Sequence, residues 1–186
     1  MTANTRAPQI VAAAYRCLAE RGFEGLRMRD VAAAAGINIA TVHYYFPSKE
    51  DLIAGVVAHA HEVFSSRTAP PPAGEPAERL RYHLRAAFDV LIADPRLGAA
   101  LAEIAARSRR DAAVAATVGR AERVWQQALV EMLSPLPDAQ AQAVGAMLIM
   151  TIKGACLPTE ASDLHRVRDG VLAYVDAVVG SGPSAR

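Results

Sequence analysis

A short stretch around Gly36 holds the polar and aromatic side chains best suited to a specific interaction. Residues 28–52 read MRDVAAAAGINIATVHYYFPSKEDL. An Ala-rich segment ends at Gly36, and a second short segment begins after Asn38, a residue type favoured at helix N-termini. Two short helices joined by a Gly turn are typical of a helix-turn-helix, whose second helix enters the major groove of DNA. The pattern therefore predicts a segment that binds duplex DNA.

The second of these helices, Ile39 to Tyr45, can reach DNA only if Val42 and Phe46 pack against the preceding helices. Thr41 can then bond to a phosphate or a base edge, and apolar neighbours can meet a thymine methyl group. Lys49 lies in the first turn of the next helix, where unpaired amides favour an anion. The predicted DNA-binding residues are Arg27, Arg29, Asn38, Ile39, Ala40, Thr41, His43, Tyr44, Tyr45 and Lys49.

Some of these residues have a second interpretation. One of the adjacent tyrosines, Tyr44 and Tyr45, can fill space between helices instead of touching DNA. Arg27 and Arg29 can form surface ion pairs with neighbouring carboxylates, and Lys49 can be an ordinary solvated lysine. These alternatives are separated by where the fold places each side chain.

Composition points to a helical protein without a strong electrostatic field. The chain has 186 residues, of which 52% are hydrophobic, and Ala is abundant while β-branched runs are scarce. These features predict an all-α fold. The formal net charge is only +1, so DNA binding would depend on the placement of a few cations and backbone amides.

Other functional classes lack support in the sequence. The two cysteines, Cys17 and Cys156, fit apolar helical patterns and are expected to be free thiols of a cytoplasmic protein. The longest apolar run, Val144 to Ile152, is too short to cross a bilayer, and no signal peptide is recognisable, so no membrane partner is expected. No catalytic motif, cofactor motif or metal site is predicted; His59 and His61 point to different sides of a helix.

Helical periodicity and the Gly and Pro positions predict about nine α-helices. The clearest interruption is the Pro-rich stretch from Thr68 to Ala77, which is expected to be a loop between helices. Apart from the two short helices around Gly36, the expected helices are longer and carry broad apolar faces. The first helix after this loop is predicted from about Glu78 to Ala93, where Asp94-Pro95 ends it, and the next from about Arg96 to Ser108.

The segment from Ile10 to Leu52 resembles the DNA-binding domain of TetR-family transcriptional repressors. The resemblance covers about a quarter of the chain. It is carried by Ile10, Ala13, Gly22, Phe23, Val31, Ala32, Ala35, Gly36, Ile37, Thr41, Val42, Tyr45, Phe46, Ser48, Lys49, Glu50 and Leu52. It implies an N-terminal DNA-binding domain, residues 1–51, followed by a larger helical domain, residues 52–186, for effector binding and dimerisation.

Three positions depart from the family pattern. Arg27 replaces the small hydroxyl residue that usually precedes the first of the two short helices. Ala40 replaces the frequent Gly or Pro before Thr41. His43 stands where the family usually has a Tyr, three residues before Phe46. That Tyr typically touches a phosphate, so the phosphate contact at His43 is open.

Ligand-binding and dimer-interface residues of the second domain are predicted from weaker sequence patterns than the DNA-binding residues. Aromatic, Met and polar side chains on apolar helical faces are consistent with an effector cavity, but also with a plain core. The predicted ligand-binding residues are Phe64, His83, Phe88, Glu103, Trp125, Met147, Met150 and Thr151. The predicted dimer-interface residues are Leu148, Ile152, Leu164, Val171, Val175 and Val178.

Together these features predict a homodimeric bacterial regulator, a repressor that a small-molecule effector releases from a near-palindromic operator. Helix 4 is predicted to open at a Ser48–Asp51 capping box, and helix 7 to run from about Asp111 to Leu133. An effector entering between these two helices would pivot helix 4 and change the spacing of the two recognition helices. The alternative is a helical small-molecule-binding protein whose helix-turn-helix is non-functional. The small net charge and His43 keep that alternative open.

Overall fold

The predicted all-α fold is confirmed in a computed structural model of the chain. The structure describes residues 5–134, 136–157 and 160–180, which contain nine α-helices, one 3-10 turn and no strand. The helices are α1 (Arg6–Arg21), α2 (Met28–Ala35), α3 (Ile39–Tyr45), α4 (Lys49–Thr68), α5 (Pro76–Ala93), α6 (Pro95–Ser108), α7 (Ala112–Met132), α8 (Asp138–Ala155) and α9 (Ala161–Gly180). The 3-10 turn is Phe23–Gly25. None of the described helices is both long and apolar enough to cross a membrane.

Prolines open two helices that were expected to start slightly later. α5 begins at Pro76, not at Glu78, and α6 begins at Pro95, which was expected only to end α5. Proline suits a first helical turn because that turn has no intrahelical partner for its amide hydrogens. The predicted loop between α4 and α5 is present but shorter than expected: it spans residues 69–75, because Thr68 ends α4 while Pro76 and Ala77 belong to α5.

Packing divides the chain into two compact units. The first unit comprises Met1–Val63 and Arg96–Gly119, and the second comprises Phe64–Pro95 and Arg120–Arg186. The first unit therefore includes most of α4, α6 from Arg96 onward and the start of α7, in addition to α1, α2 and α3. The boundary after residue 51 was a prediction about which residues serve DNA binding, and it stays a prediction.

The first unit has one continuous apolar core. One face of α1 is buried through residues spaced at three and four positions, as an amphipathic helix requires. Full burial of a large aliphatic side chain contributes about 1.5–3 kcal/mol, so this core can hold helices too short to be stable alone. Its members include Ile10, Ala13, Ala14, Cys17, Leu18, Val31, Ala32, Ala35, Val42, Leu52, Ile53, Val56, Val57 and Ala60.

The second unit is organised around α5, which contacts both α9 and α8. The inward face of α5 is buried through Leu80, Leu84 and Phe88. Two ion pairs also join α5 to α9: Arg81 bonds to Asp176 at 2.5 Å, and Asp89 accepts from Arg168 at 2.7 Å. Apolar burial supplies most of the stability here, since exposed ion pairs contribute little.

Both cysteines are free thiols in the structure, as expected. Cys17 is buried, whereas Cys156 is half-buried after the end of α8. Burial raises the pKa of the Cys156 thiol to about 11, although the charge of Lys153 acts in the opposite direction. Cys156 is therefore protonated, and weakly nucleophilic, at neutral pH.

Gly22 and Gly36 adopt backbone conformations that other residues resist, and we expect their substitution to lower the free energy of unfolding by different amounts. Gly36 has φ 65° and ψ 36°, where Ala costs about 1–2 kcal/mol. Gly22 has φ 62° and ψ −171°, a region almost restricted to Gly. A Cβ at Gly22 would also lie 3.0 Å from Glu103 Oε2.

Urea denaturation of Gly22→Ala, Gly36→Ala and Gly36→Asn measures this difference. Gly22→Ala should lose the most stability, and Gly36→Asn should lose less than Gly36→Ala because Asn tolerates left-handed conformations. Equal losses for the two Gly36 variants would show that the left-handed conformation is not what selects Gly there.

Candidate functional site

α3 is held to the first unit by one face and leaves the other exposed. Val42 is fully buried, and Phe46 packs against the same core, as the sequence predicted. On the opposite side Tyr44 is 79% exposed, and Ile39, Ala40 and His43 are exposed as well. The helix therefore presents a mixed apolar and polar surface that can meet base edges and phosphates.

The turn before α3 fixes the direction in which this surface points. The amide of Gly36 donates to Ala33 O at 3.1 Å, and the amide of Ile37 donates to Ala32 O at 3.0 Å. Asn38 then caps α3, because its Oδ1 accepts from the amide of Ala40 at 2.8 Å. The predicted N-cap is thus confirmed, and only the NH2 group of Asn38 remains suited to a phosphate.

Two polar side chains of α1 stabilise the end of α2, a role that the sequence analysis missed. Gln9 donates to Ala35 O at 3.1 Å, and Arg16 donates to Ala34 O at 3.5 Å. These carbonyls belong to the last turn of α2, which has no intrahelical donors for them. The signal was available, since residues 9 and 16 are two helical turns apart and share one face of α1.

The start of α4 carries a capping box. Ser48 Oγ accepts from the amide of Asp51 at 3.0 Å, and Asp51 Oδ2 accepts from the amide of Ser48 at 3.1 Å. Lys49 is exposed in the first turn that follows. Its ammonium group adds positive charge at the end of the helix where the dipole is also positive.

The first half of α4 packs against α1 and against Phe46, the residue that follows α3. A Cβ on Gly55 would come within 3.3 Å of both Phe46 Cε1 and Val11 Cγ2. One turn later the His59 ring meets the Tyr15 ring edge to face, with centroids 5.4 Å apart. These contacts fix the first half of α4, and with it Lys49, relative to α1 and α3.

Eight of the ten predicted DNA-binding side chains are exposed. Thr41 and Tyr45 are half-buried. Tyr45 packs against the core, and its ring meets that of Tyr44 edge to face at 5.1 Å, so Tyr45 fills the space that one tyrosine was expected to fill. Arg29 lies 3.6 Å from Asp30 in an exposed ion pair. The exposed residues are Arg27, Arg29, Asn38, Ile39, Ala40, His43, Tyr44 and Lys49.

The structure brings together only part of the predicted ligand-binding set. In the second unit, Trp125 bonds to His83 at 2.8 Å and meets Phe64 edge to face at 5.5 Å. Phe88 is fully buried in the same unit. Met147 and Met150 are exposed on α8, and Thr151 bonds back to Met147 O. Glu103 is exposed in the first unit, beside Gly22.

A small cavity lies within the first unit, between α4 and α7. Its volume is about 30 Å³, comparable to one water molecule and far below the size of usual effector pockets. It contains none of the predicted ligand-binding residues. Its lining comprises Glu50, Ile53, Ala54, Val57, Asp111, Ala113, Val114 and Thr117. Within the described residues, no group of three His, Cys, Asp or Glu side chains is placed to hold a metal ion.

Most predicted dimer-interface residues are buried within the single chain. Leu148, Ile152, Leu164 and Val175 are buried, while Val171 and Val178 are half-buried. α8 and α9 also carry a second apolar set, which is exposed. That set comprises Met147, Met150, Val167 and Tyr174. Periodicity identified the stripes of these helices but not which stripe faces α5.

The helix-turn-helix geometry agrees with comparisons of the sequence. A family model described as "Bacterial regulatory proteins, tetR family" matches residues 10–56. The repressor KstR of Rhodococcus jostii is 27% identical over 147 residues, which cover 79% of this chain and 68% of KstR. Residues 10–56 therefore match the DNA-binding domain of TetR-family regulators, and KstR is a transcriptional repressor by name.

Solved structures show that the TetR fold extends over almost the whole chain. A TetR transcription regulator from Haloarcula marismortui has a TM-score of 0.83 at 23% identity, covering 94% of this chain and 98% of that one. AibR, solved with isovaleryl coenzyme A and operator DNA, has a TM-score of 0.73 at 16% identity, covering 91% and 97%. At these identities the likeness concerns the fold.

Substitutions at Asn38 should separate its cap from any contact with DNA. We expect Asn38→Ala to lower the free energy of unfolding by about 1 kcal/mol, because the amide of Ala40 loses its acceptor. Asn38→Asp should keep the cap and the stability but weaken DNA binding, because it adds negative charge near phosphates. Thermal denaturation and binding to a mixed-sequence duplex measure both effects. Unchanged DNA affinity in Asn38→Asp would place residue 38 away from the DNA backbone.

Proposed function

We propose that this protein is a homodimeric TetR-type repressor that leaves a near-palindromic operator when it binds a small-molecule effector. The proposal that the protein binds DNA rests on the exposed face of α3. Val42 holds the helix from below while Ile39, Ala40, His43 and Tyr44 remain exposed. A helix anchored in this way can enter a major groove without losing core contacts.

The exposed residues divide into two proposed roles. Ile39, Ala40 and Thr41 lie in the first turn of α3 and would meet base edges, where methyl contacts and a hydroxyl can discriminate sequence. His43, Tyr44 and Lys49, together with Arg27 and Arg29, would meet phosphates. Because the net charge is only +1, these few contacts would supply most of the electrostatic attraction.

Dimerisation would repeat α3 about a two-fold axis. In helix-turn-helix dimers the two recognition helices enter successive major grooves, roughly 34–36 Å apart for one turn of DNA. We assign the contact between subunits to the exposed face of α8 and α9, formed by Met147, Met150, Val167 and Tyr174. Val171 and Val178 would contribute their exposed parts, and the buried Leu148, Ile152, Leu164 and Val175 would support the face from within.

Release by an effector requires that the effector bind two conformations of the dimer with different affinity. The relative KstR is a repressor by name, and AibR was solved with both a coenzyme A ester and operator DNA. These two relatives support a repressor with an effector site for this chain. Phe64, His83 and Trp125 form the cluster in the second unit most suited to contribute to such a site.

Selection of duplexes from a random DNA library by the purified protein tests the proposal. Enrichment of a near-palindrome at physiological salt would support the dimeric repressor, and its genomic position would indicate the regulated genes. The competing function is a small-molecule-binding protein with a non-functional helix-turn-helix. That function predicts no enrichment, with residual binding that disappears as salt is added.

Lys49→Ala should weaken binding to all DNA sequences about equally. If Lys49 neutralises one phosphate, the slope of log affinity against log salt concentration should decrease by about 1. Fluorescence anisotropy with a labelled duplex over a range of salt measures that slope. The control is Arg123→Ala, which removes an exposed positive charge on α7 and should leave the slope unchanged. Identical slopes for Lys49→Ala and the wild type would remove the phosphate contact.

Met150→Glu should convert the dimer into a monomer. Met150 is 64% exposed on α8, and a carboxylate there would be desolvated against its partner. Val124→Glu is a matched control, because Val124 is 73% exposed on α7, outside the proposed face. Sedimentation velocity should show a monomer for the first variant and a dimer for the second. A dimer in both cases would contradict the assigned face.

A further inference from the structure

A buried histidine joins three helical segments of the second unit. His83, on α5, is only 5% exposed. Its Nδ1 lies 2.8 Å from Thr68 O at the last residue of α4, and its Nε2 lies 2.8 Å from Trp125 Nε1 on α7. One turn before Thr68, Phe64 meets the Trp125 ring edge to face. The end of α4, α5 and α7 are therefore linked through one imidazole.

The partners of His83 define its protonation state. A carbonyl oxygen can only accept, so Nδ1 must carry the hydrogen that bonds to Thr68. An indole nitrogen can only donate, so Nε2 must be unprotonated in order to accept from Trp125. The imidazole is therefore neutral with both nitrogens satisfied. Thr68 O is one of the last carbonyls of α4, which lack intrahelical donors, so this bond also terminates the helix.

We propose that His83 is a pH-sensitive link between α5, α7 and the end of α4. Protonation of its Nε2 breaks the hydrogen bond to Trp125 and loosens the end of α4. A proton on Nε2 would point at the indole N–H, which places two donors face to face. The imidazolium cannot keep this geometry, because the indole has no lone pair to offer in that direction. Either the ring turns, which breaks its bond to Thr68 O, or Trp125 moves, which breaks the edge contact with Phe64; both changes release the end of α4.

Several charged groups on the same elements have partners other than His83. On α4, Arg67 pairs with Asp94 at 2.8 Å. On α5, Arg79 donates to Pro71 O at 3.2 Å, and on α7, Glu122 pairs with Lys153. Burial lowers the pKa of His83, and the hydrogen bond to Thr68 O opposes that effect only in part. His83 is thus neutral at pH 7 and supplies the titrating group of this cluster.

The sign of the stability effect follows from this lowered pKa. Above the usual histidine range, folded and unfolded chains both hold neutral His83, and pH has no effect through it. As the pH falls below about 6.5, the unfolded chain binds a proton that the folded chain resists. The free energy of unfolding therefore decreases with acidity until the folded form is also protonated.

Fluorescence of Trp125 reports directly on its hydrogen bond to His83, because Trp125 is the only tryptophan in the chain. Emission of the full-length protein is measured from pH 7.5 down to the onset of acid unfolding, together with amide hydrogen exchange in the last turn of α4. Because the pKa of His83 is lowered in the folded protein, wild-type emission should change at a pH below the usual histidine range, since an imidazolium quenches indole and the hydrogen bond is lost. Exchange in residues 64–68 should accelerate relative to a non-titrating variant at the same pH.

Two variants each keep one of the two hydrogen bonds of His83 and remove the other. His83→Gln offers an oxygen near the position of Nε2, so it can keep the Trp125 bond without titrating. His83→Asn offers an NH2 group near the position of Nδ1, so it can keep the Thr68 bond but not the indole bond. The first should show a flat profile with wild-type emission at pH 7.5. The second should show, at every pH, the emission change that comes from loss of the indole hydrogen bond, without the quenching by an imidazolium.

His165→Gln is the matched control, because His165 is exposed on α9 and its Nδ1 lies 2.7 Å from Ala161 O. It should keep the wild-type transition. A flat wild-type profile would overturn the proposal, as would a transition that survives in His83→Gln. An emission change without faster exchange in residues 64–68 would overturn the link between the indole bond and the end of α4.

Discussion

The burial of Val42 is the contact on which the proposed DNA interface depends. α3 has only seven residues, too few to form a stable helix in water. Its orientation is imposed by three features. Val42 is buried in the core, Gly36 forms the turn before the helix, and Asn38 caps its first turn. The carbonyls that end α2 are held in turn by Gln9 and Arg16. The surface offered to DNA is thus specified mainly by residues that would not touch DNA.

The first unit was largely predictable because its signals are local. A Gly at a helix end, an Asn cap and a Ser48–Asp51 capping box have a fixed meaning over a few residues, and each appears in the structure as expected. Tyr44 and Tyr45 show the limit of such signals. Both are possible contact residues in the sequence, and only the packing of Tyr45 against the core distinguishes them.

The second unit is harder to predict because its signals depend on tertiary packing. Helices that are apolar on more than one side do not indicate which side faces their own chain, so Leu148 and Val175 were assigned to a subunit interface although both are buried inside one chain. Glu103 was grouped with His83 because both are polar groups in apolar stripes, yet packing places them in different units. Long-range contacts of this kind leave no local pattern.

Gly55 has a consequence for what a regulatory movement could change. With no side chain at this position, α4 approaches Phe46 and Val11 closely enough that a Cβ would crowd both. The first turns of α4 and the segment after α3 are therefore interlocked and should travel as one body. A rearrangement that reaches this body would reposition it as a whole and leave unaltered the face that α3 shows to the bases. Such control would alter how tightly DNA is held while preserving which sequence is preferred.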